Sequence, residues 1–211
     1  MRNKLSNKSK LFSAFTGGKM QKTNTTIELF TTKSTAVSTT VVQVKDLAEA
    51  AEYALRLCSE KVFSRPSGQA AEKVLAAPEM PKKVFDLLAL SGEKAGVKII
   101  DGGLRNRMDG IDVGFTVADM AIAETGTAIM RCSKEDTRLA SMICEAHVLA
   151  LPKSKVVATS YEAEDFLREA MAGTMYTAFI SGCSRTSDIE RVLTLGVHGP
   201  LELHVVLTEE G

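Results

Sequence analysis

No CxxC pair, no glycine-rich nucleotide fingerprint and no long apolar run occur in this chain of 211 residues, and its charges cancel. Each absence excludes a class. With 26 Lys plus Arg against 26 Asp plus Glu, the chain lacks the bulk positive field that drives nucleic-acid binding, and it is equally unlike an acidic disordered tail. No apolar stretch approaches the roughly 20 residues of a membrane-spanning helix. Leu11 to Phe15, interrupted by Ser13, is too short for the apolar core of a signal peptide, so a cytoplasmic location is expected. Cys58, Cys132, Cys144 and Cys183 lie 74, 12 and 39 residues apart. That spacing fits neither a zinc site nor an iron–sulfur cluster held by this chain alone. The expectation is four inert thiols, and three scattered histidines add too few ligands for a metal site.

What is present is ordinary for a soluble globular protein: 45% hydrophobic and 25% charged residues. The length suits one domain with a sizeable core. The zero net charge conceals an asymmetry. Residues 1–22 carry six basic and no acidic residues, which leaves 20 basic against 26 acidic in 23–211, a net of −6. We therefore expect a basic, poorly ordered leader over 1–26 and one folded domain over 27–211.

Within the body, short apolar runs alternate with helical patterns. Thr and Ser crowd 23–40, which favours extended or irregular chain over helix. Thr39 to Val44 is β-branched and reads as a strand. Asp46 with Glu49 forms a capping-box pattern, and apolar residues at helical spacing predict a helix over 46–62. Val74 to Ala77 is a second strand. Pro81 opens a helix, Gly96 ends it, and Val97 to Ile100 is a third strand. Strict alternation over Ile111 to Val117 predicts a strand with one drier face. Ala128 to Met130, His147 to Leu151, Lys155 to Ala158, Thr177 to Ile180 and Leu203 to Leu207 are further strands, and Ser160 caps another helix that Gly173 ends. Strands alternating with helices imply a single α/β domain with a mainly parallel sheet covered on both faces.

Three segments, rich in small and polar residues beside these strands, are the candidates for chemistry. Ala118 to Thr127 places the carboxylates Asp119 and Glu124 around a turn at Gly126. The pattern suits a catalytic or ligand-positioning carboxylate, and equally a turn capped by the Thr125 and Thr127 hydroxyls. Ser181-Gly182-Cys183-Ser184-Arg185-Thr186-Ser187-Asp188-Ile189-Glu190 follows a strand, and Ser187 with Glu190 repeats the capping box. Its Gly turn, hydroxyls and Arg185 suit an anion site, and equally ordinary helix capping. The segment is neither a Walker loop nor GxGxxG. In Gly196-Val197-His198-Gly199-Pro200 a tight loop presents His198, as a functional or a backbone-satisfying histidine. In a parallel α/β fold such loops gather at the carboxyl ends of the strands. The three are therefore expected to line one pocket for a small anion, with Glu124 and His198 as catalytic candidates. Thr125, Gly126, Thr127, Ser181, Gly182, Ser184, Arg185 and Thr186 are the corresponding binding candidates.

Read in order, GFTVADMAIAETGTAIM, AFISGCSRTSDIE and LGVHGPLELHVVL resemble the signature blocks of the LUD domain family, and most closely its lactate utilization protein C (YkgG-like) branch. The resemblance spans about residues 40–208. Cys183 stands where proline is common in the family's SGPSRT-like block. The resemblance implies a three-layer α/β/α domain related to NagB/RpiA/CoA-transferase-like proteins, and a part in bacterial oxidation of L-lactate to pyruvate. It also implies iron–sulfur partner subunits that carry the clusters, with no cofactor or metal in this chain. Self-association stays open, as does whether the chain is itself catalytic. By analogy with CoA-transferases, Glu124 in its Glu-Thr-Gly setting would form a covalent glutamyl intermediate. The alternative is a free-standing enzyme or sensor for a small carboxylate, phosphate or CoA thioester.

Overall fold

A computed structural model describes residues 24–62, 72–107, 110–173, 175–186 and 194–209. Residues 1–23 of the expected leader and the capping-box residues Ser187 to Glu190 lie outside them, whereas residues 24–26, also expected in the leader, begin a helix. Helix α1 (24–36) occupies the stretch expected to be extended. Ile27, Phe30 and Ser34 are buried along one side of it. The Thr31 and Thr32 hydroxyls donate to the carbonyls of Ile27 and Glu28, one turn back, at 2.9 Å each. Burial of one side and hydroxyls satisfied within the helix outweigh the poor local propensity.

Strand β1 (Thr39–Val44) leads into α2 (Leu47–Glu60). The Asp46 carboxylate accepts from Glu49 N at 3.0 Å, as the capping pattern predicts, while Glu49 accepts in return at 2.9 Å from the amide of Lys45, one residue before the cap. β2 (Lys73–Ala76), α3 (Lys82–Ala95) and β3 (Val97–Ile100) follow, with Gly96 left-handed at the helix end. Then come β4 (Ile111–Val117), β5 (Met120–Ile122), β6 (Thr127–Cys132), α4 (Glu135–Ala140) and β7 (Cys144–Pro152). β8 (Val156–Val157), α5 (Glu164–Ala172), β9 (Tyr176–Ile180), the short pair β10 (Arg185–Thr186) and β11 (Thr194–Leu195), and β12 (Glu202–Thr208) complete the order. Ser160 opens a 3-10 turn, Ser160–Ala163, ahead of α5 rather than capping the helix itself.

The large sheet has the order β1-β12-β7-β4-β2-β3, parallel throughout. Helices α2 and α3 cover one face through Ala50, Ala54, Leu55 and Leu88, which meet Leu75, Val113, Phe115, Val148 and Val206. On the other face α1 and a four-stranded sheet, β8-β5-β6-β9, bury Phe30, Ala121, Ala128 and Met130 against Leu149, Leu151, Val205 and Leu207. Helix α5 seals the outer side of the smaller sheet through Phe166 and Leu167. This is the expected three-layer α/β/α class, with a small sheet added to one outer layer.

The central strand β4 departs from its predicted pattern: it is buried on both faces, not one. Each alternate residue has its own reason. Asp112 accepts the Val74 amide at 2.6 Å, and Thr116 hydrogen-bonds His147 Nε2 at 2.8 Å. At Gly114 a Cβ would lie 1.9 Å from the Ala140 carbonyl oxygen, so only glycine admits α4 at this distance.

Candidate functional site

Strands β2 and β4 are neighbours, but the chain leaves them in opposite directions. From β2 it passes through α3 to β3 at the sheet edge; from β4 it enters the smaller sheet before returning as β7 on β4's other side. Such a divergence opens a crevice at the carboxyl ends of the two strands, where open α/β sheets bind ligands. A cavity of about 380 Å³ lies there, lined by Pro78, Glu79 and Met80 after β2, Thr116, Val117 and Asp119 at the end of β4, Arg131 in β6, Ser133 just after it, Thr137 in α4, and Met175.

Its polar groups are held in place. Asp119 accepts from the Arg131 amide at 2.7 Å and from Arg131 Nε at 3.1 Å. The same guanidinium packs over the Phe166 ring at 5.1 Å, a favourable placement for a delocalised cation. Thr116 forms the cavity's inner wall with buried His147 behind it. Burial, with a smaller contribution from nearby His204, pushes the His147 imidazole down to about 4, so it is neutral near pH 7.

Glu79 is the most constrained lining residue. Its φ is +57°, in the slot after Pro78 that turns of this kind usually give to Gly or Asn. A left-handed backbone here costs roughly 1–2 kcal/mol. Its two carboxylate oxygens accept from the Ser133 and Thr137 hydroxyls, and Lys134 Nζ stands 3.8 Å away. Partial burial raises the Glu79 pKa, but the two hydroxyls and the ammonium outweigh it and hold the carboxyl below its usual range. Backbone strain of this sort gathers at functional sites.

None of the ten site residues expected from the sequence lines this cavity. The structure joins their segments in another way. Thr125 and Thr127 hydroxyls lie 2.7 Å apart, and Thr127 lies 2.7 Å from Ser181 Oγ. Ser184 N donates to Pro200 O, and Ser184 O accepts from Gly196 N, both at 2.9 Å, which ties the Arg185 hairpin to the His198 loop. Gly126 has φ +64° and faces the backbone of Ser34; Gly182 has φ +82° and faces the Val37 carbonyl. Both glycines seat α1 and the turn that follows it. Thr186 pairs with Thr194 in the β10–β11 ladder, while Arg185 and His198 are exposed. Glu124, also exposed, accepts the Ser160 amide at 2.6 Å, and that bond lowers its pKa. Cys183 is buried beside α1.

Asp119, noted in the sequence beside Glu124, does reach the cavity. Glu79, Arg131, Ser133 and Thr137 were missed. The available signal was Pro78-Glu79 directly after a parallel strand, the position from which such sheets present ligand-binding loops.

A polar cavity at the divergence of two central strands lies where open parallel α/β sheets commonly place their ligand sites. The chain is a member of the LUD domain family, whose profile matches residues 27–208. Similar curated proteins are the lactate utilization protein C of Bacillus subtilis (strain 168), 31% identical over 103 residues, and that of Shouchella clausii (strain KSM-K16), 34% identical over 102. The first match covers 47% of this chain and 43% of the relative, the second 47% and 44%. The chain thus matches less than half the length of these relatives. A DUF162 family protein from Deinococcus radiodurans has the same fold, with a TM-score of 0.61 and 19% identity over 88% of this chain and 98% of that one.

Proposed function

We propose that this protein serves in lactate utilization, as a cytoplasmic LUD-domain component acting beside iron–sulfur proteins that oxidise L-lactate to pyruvate. The observation that carries the reading is family membership over 27–208 together with relatives named lactate utilization protein C. The cavity is consistent with it: its hydroxyls and guanidinium, with the Lys134 ammonium beside the Glu79 carboxylate at its edge, suit a small 2-hydroxy or 2-oxo acid. The electron-carrying clusters are assigned to the partners. Cys58, Cys144 and the Cys132/Cys183 pair are buried in three different packing clusters. Burial pushes the Cys132 thiol up to about 11 and Cys144 up to about 12, the opposite of what a thiolate ligand needs.

Tagged protein recovered under anaerobic conditions from its own host should bring down proteins with iron–sulfur absorbance, and deletion of its gene should abolish growth on L-lactate. Recovery of the chain alone from cells with intact clusters, together with undiminished growth, would overturn the proposal in favour of a free-standing enzyme or sensor.

A further inference from the structure

The contacts around Glu79 have the form of a receptor already filled. Ser133 and Thr137 offer one hydroxyl to each oxygen of a single carboxylate, and the Lys134 ammonium lies 3.8 Å from one of them. All three donors come from residues 133–137, at the start of α4, whereas the carboxylate comes from the turn after β2. A small monocarboxylate presents the same group. We propose that Ser133, Thr137 and Lys134 form the carboxylate subsite of the cavity, and that Glu79 is an internal plug which a ligand carboxylate displaces.

Three features support exchange over a fixed brace. Glu79 reaches the donors from a left-handed backbone, a strained conformation of the kind that gathers at functional sites. Its side chain is 29% exposed and lines the open cavity, so an incoming molecule reaches the donors without unfolding the domain. Replacing one carboxylate by another leaves the charge beside the exposed Lys134 ammonium unchanged. A tethered plug lowers the apparent affinity for a free competitor by the fraction of time the subsite is vacant. Removal of the plug therefore raises affinity for small carboxylates. The inference rests on the small-acid reading of the cavity, but its test is separate from growth and partner recovery.

The experiment titrates sodium pyruvate, L-lactate and acetate against the full chain and follows amide chemical shifts. Glu79→Ala should bind pyruvate about tenfold or more tightly than wild type, as expected for a subsite vacant a tenth of the time or less. Thr137→Val added to Glu79→Ala should abolish the gain. Glu79→Gln, which keeps the turn filled but loses the charge beside Lys134, should show part of it and serves if the alanine variant fails to fold. Equal or weaker binding by both Glu79 variants overturns the plug, as does a gain that survives Thr137→Val or the lack of binding by any form. A gain shown by acetate alone upholds the plug and overturns the 2-hydroxy or 2-oxo acid reading.

Discussion

His147 shows how much one side chain's surroundings decide. The sequence places it within a strand, which holds, but says nothing of depth: it is 1% exposed between strands and hydrogen-bonded to Thr116. With its pKa at about 4 in the fold against 6.5 in the open chain, only the unfolded state takes up a proton between those values. Its contribution to stability is complete above pH 6.5 and is lost as the pH falls toward 4. In urea titrations between pH 7 and pH 4, wild type should lose about 3 kcal/mol more than His147→Gln. Parallel curves would refute the assignment. At the same scale, Asp119 and Glu124 were equivalent in sequence, two carboxylates around one turn. Position separates them: Asp119 closes on Arg131 at the cavity, while Glu124 turns away to the Ser160 amide.

Elements whose pattern is local were legible, and those set by distant partners were not. The β1 strand and the capped start of α2 follow from β-branching and from Asp46 with Glu49 alone. Helix α1 is hidden under a Thr-rich composition because its support comes from Leu149, Val205 and Leu207, more than a hundred residues onward. Phe30, fully buried, anchors it. Phe30→Ala should cost about 3–5 kcal/mol in chemical denaturation. The same change at exposed Leu29 should stay within about 0.5 kcal/mol. Both faces of β4 are buried for the same reason: alternation predicts which residues share a face, not whether a second layer arrives to cover it. The cavity was illegible because it is assembled from four stretches, 78–80, 116–119, 131–137 and 175, that only the strand order brings together.

At the scale of the whole molecule, the four thiols sample the interior widely. Cys58 lies between α2 and the large sheet, Cys132 and Cys183 between the two sheets, and Cys144 under α4. Reaction with a bulky disulfide reagent in native buffer should proceed for all four at one slow rate, set by opening of the domain. A burst of one thiol would identify a locally loose layer.

The order of the large sheet also bears on how the chain is made. Among the described residues β12, the last strand in sequence, lies between β1, the first, and β7. Until residues 202–208 have left the ribosome, Val41 and Val42 of β1 have no neighbouring strand to join, and β7 forms the edge of an unfinished sheet. Closure of the sheet thus waits for synthesis of residues 202–208 and for contacts between distant parts of the chain, which form slowly. A nascent chain stalled before β12 presents two open strand edges, the state that a chaperone would have to shield.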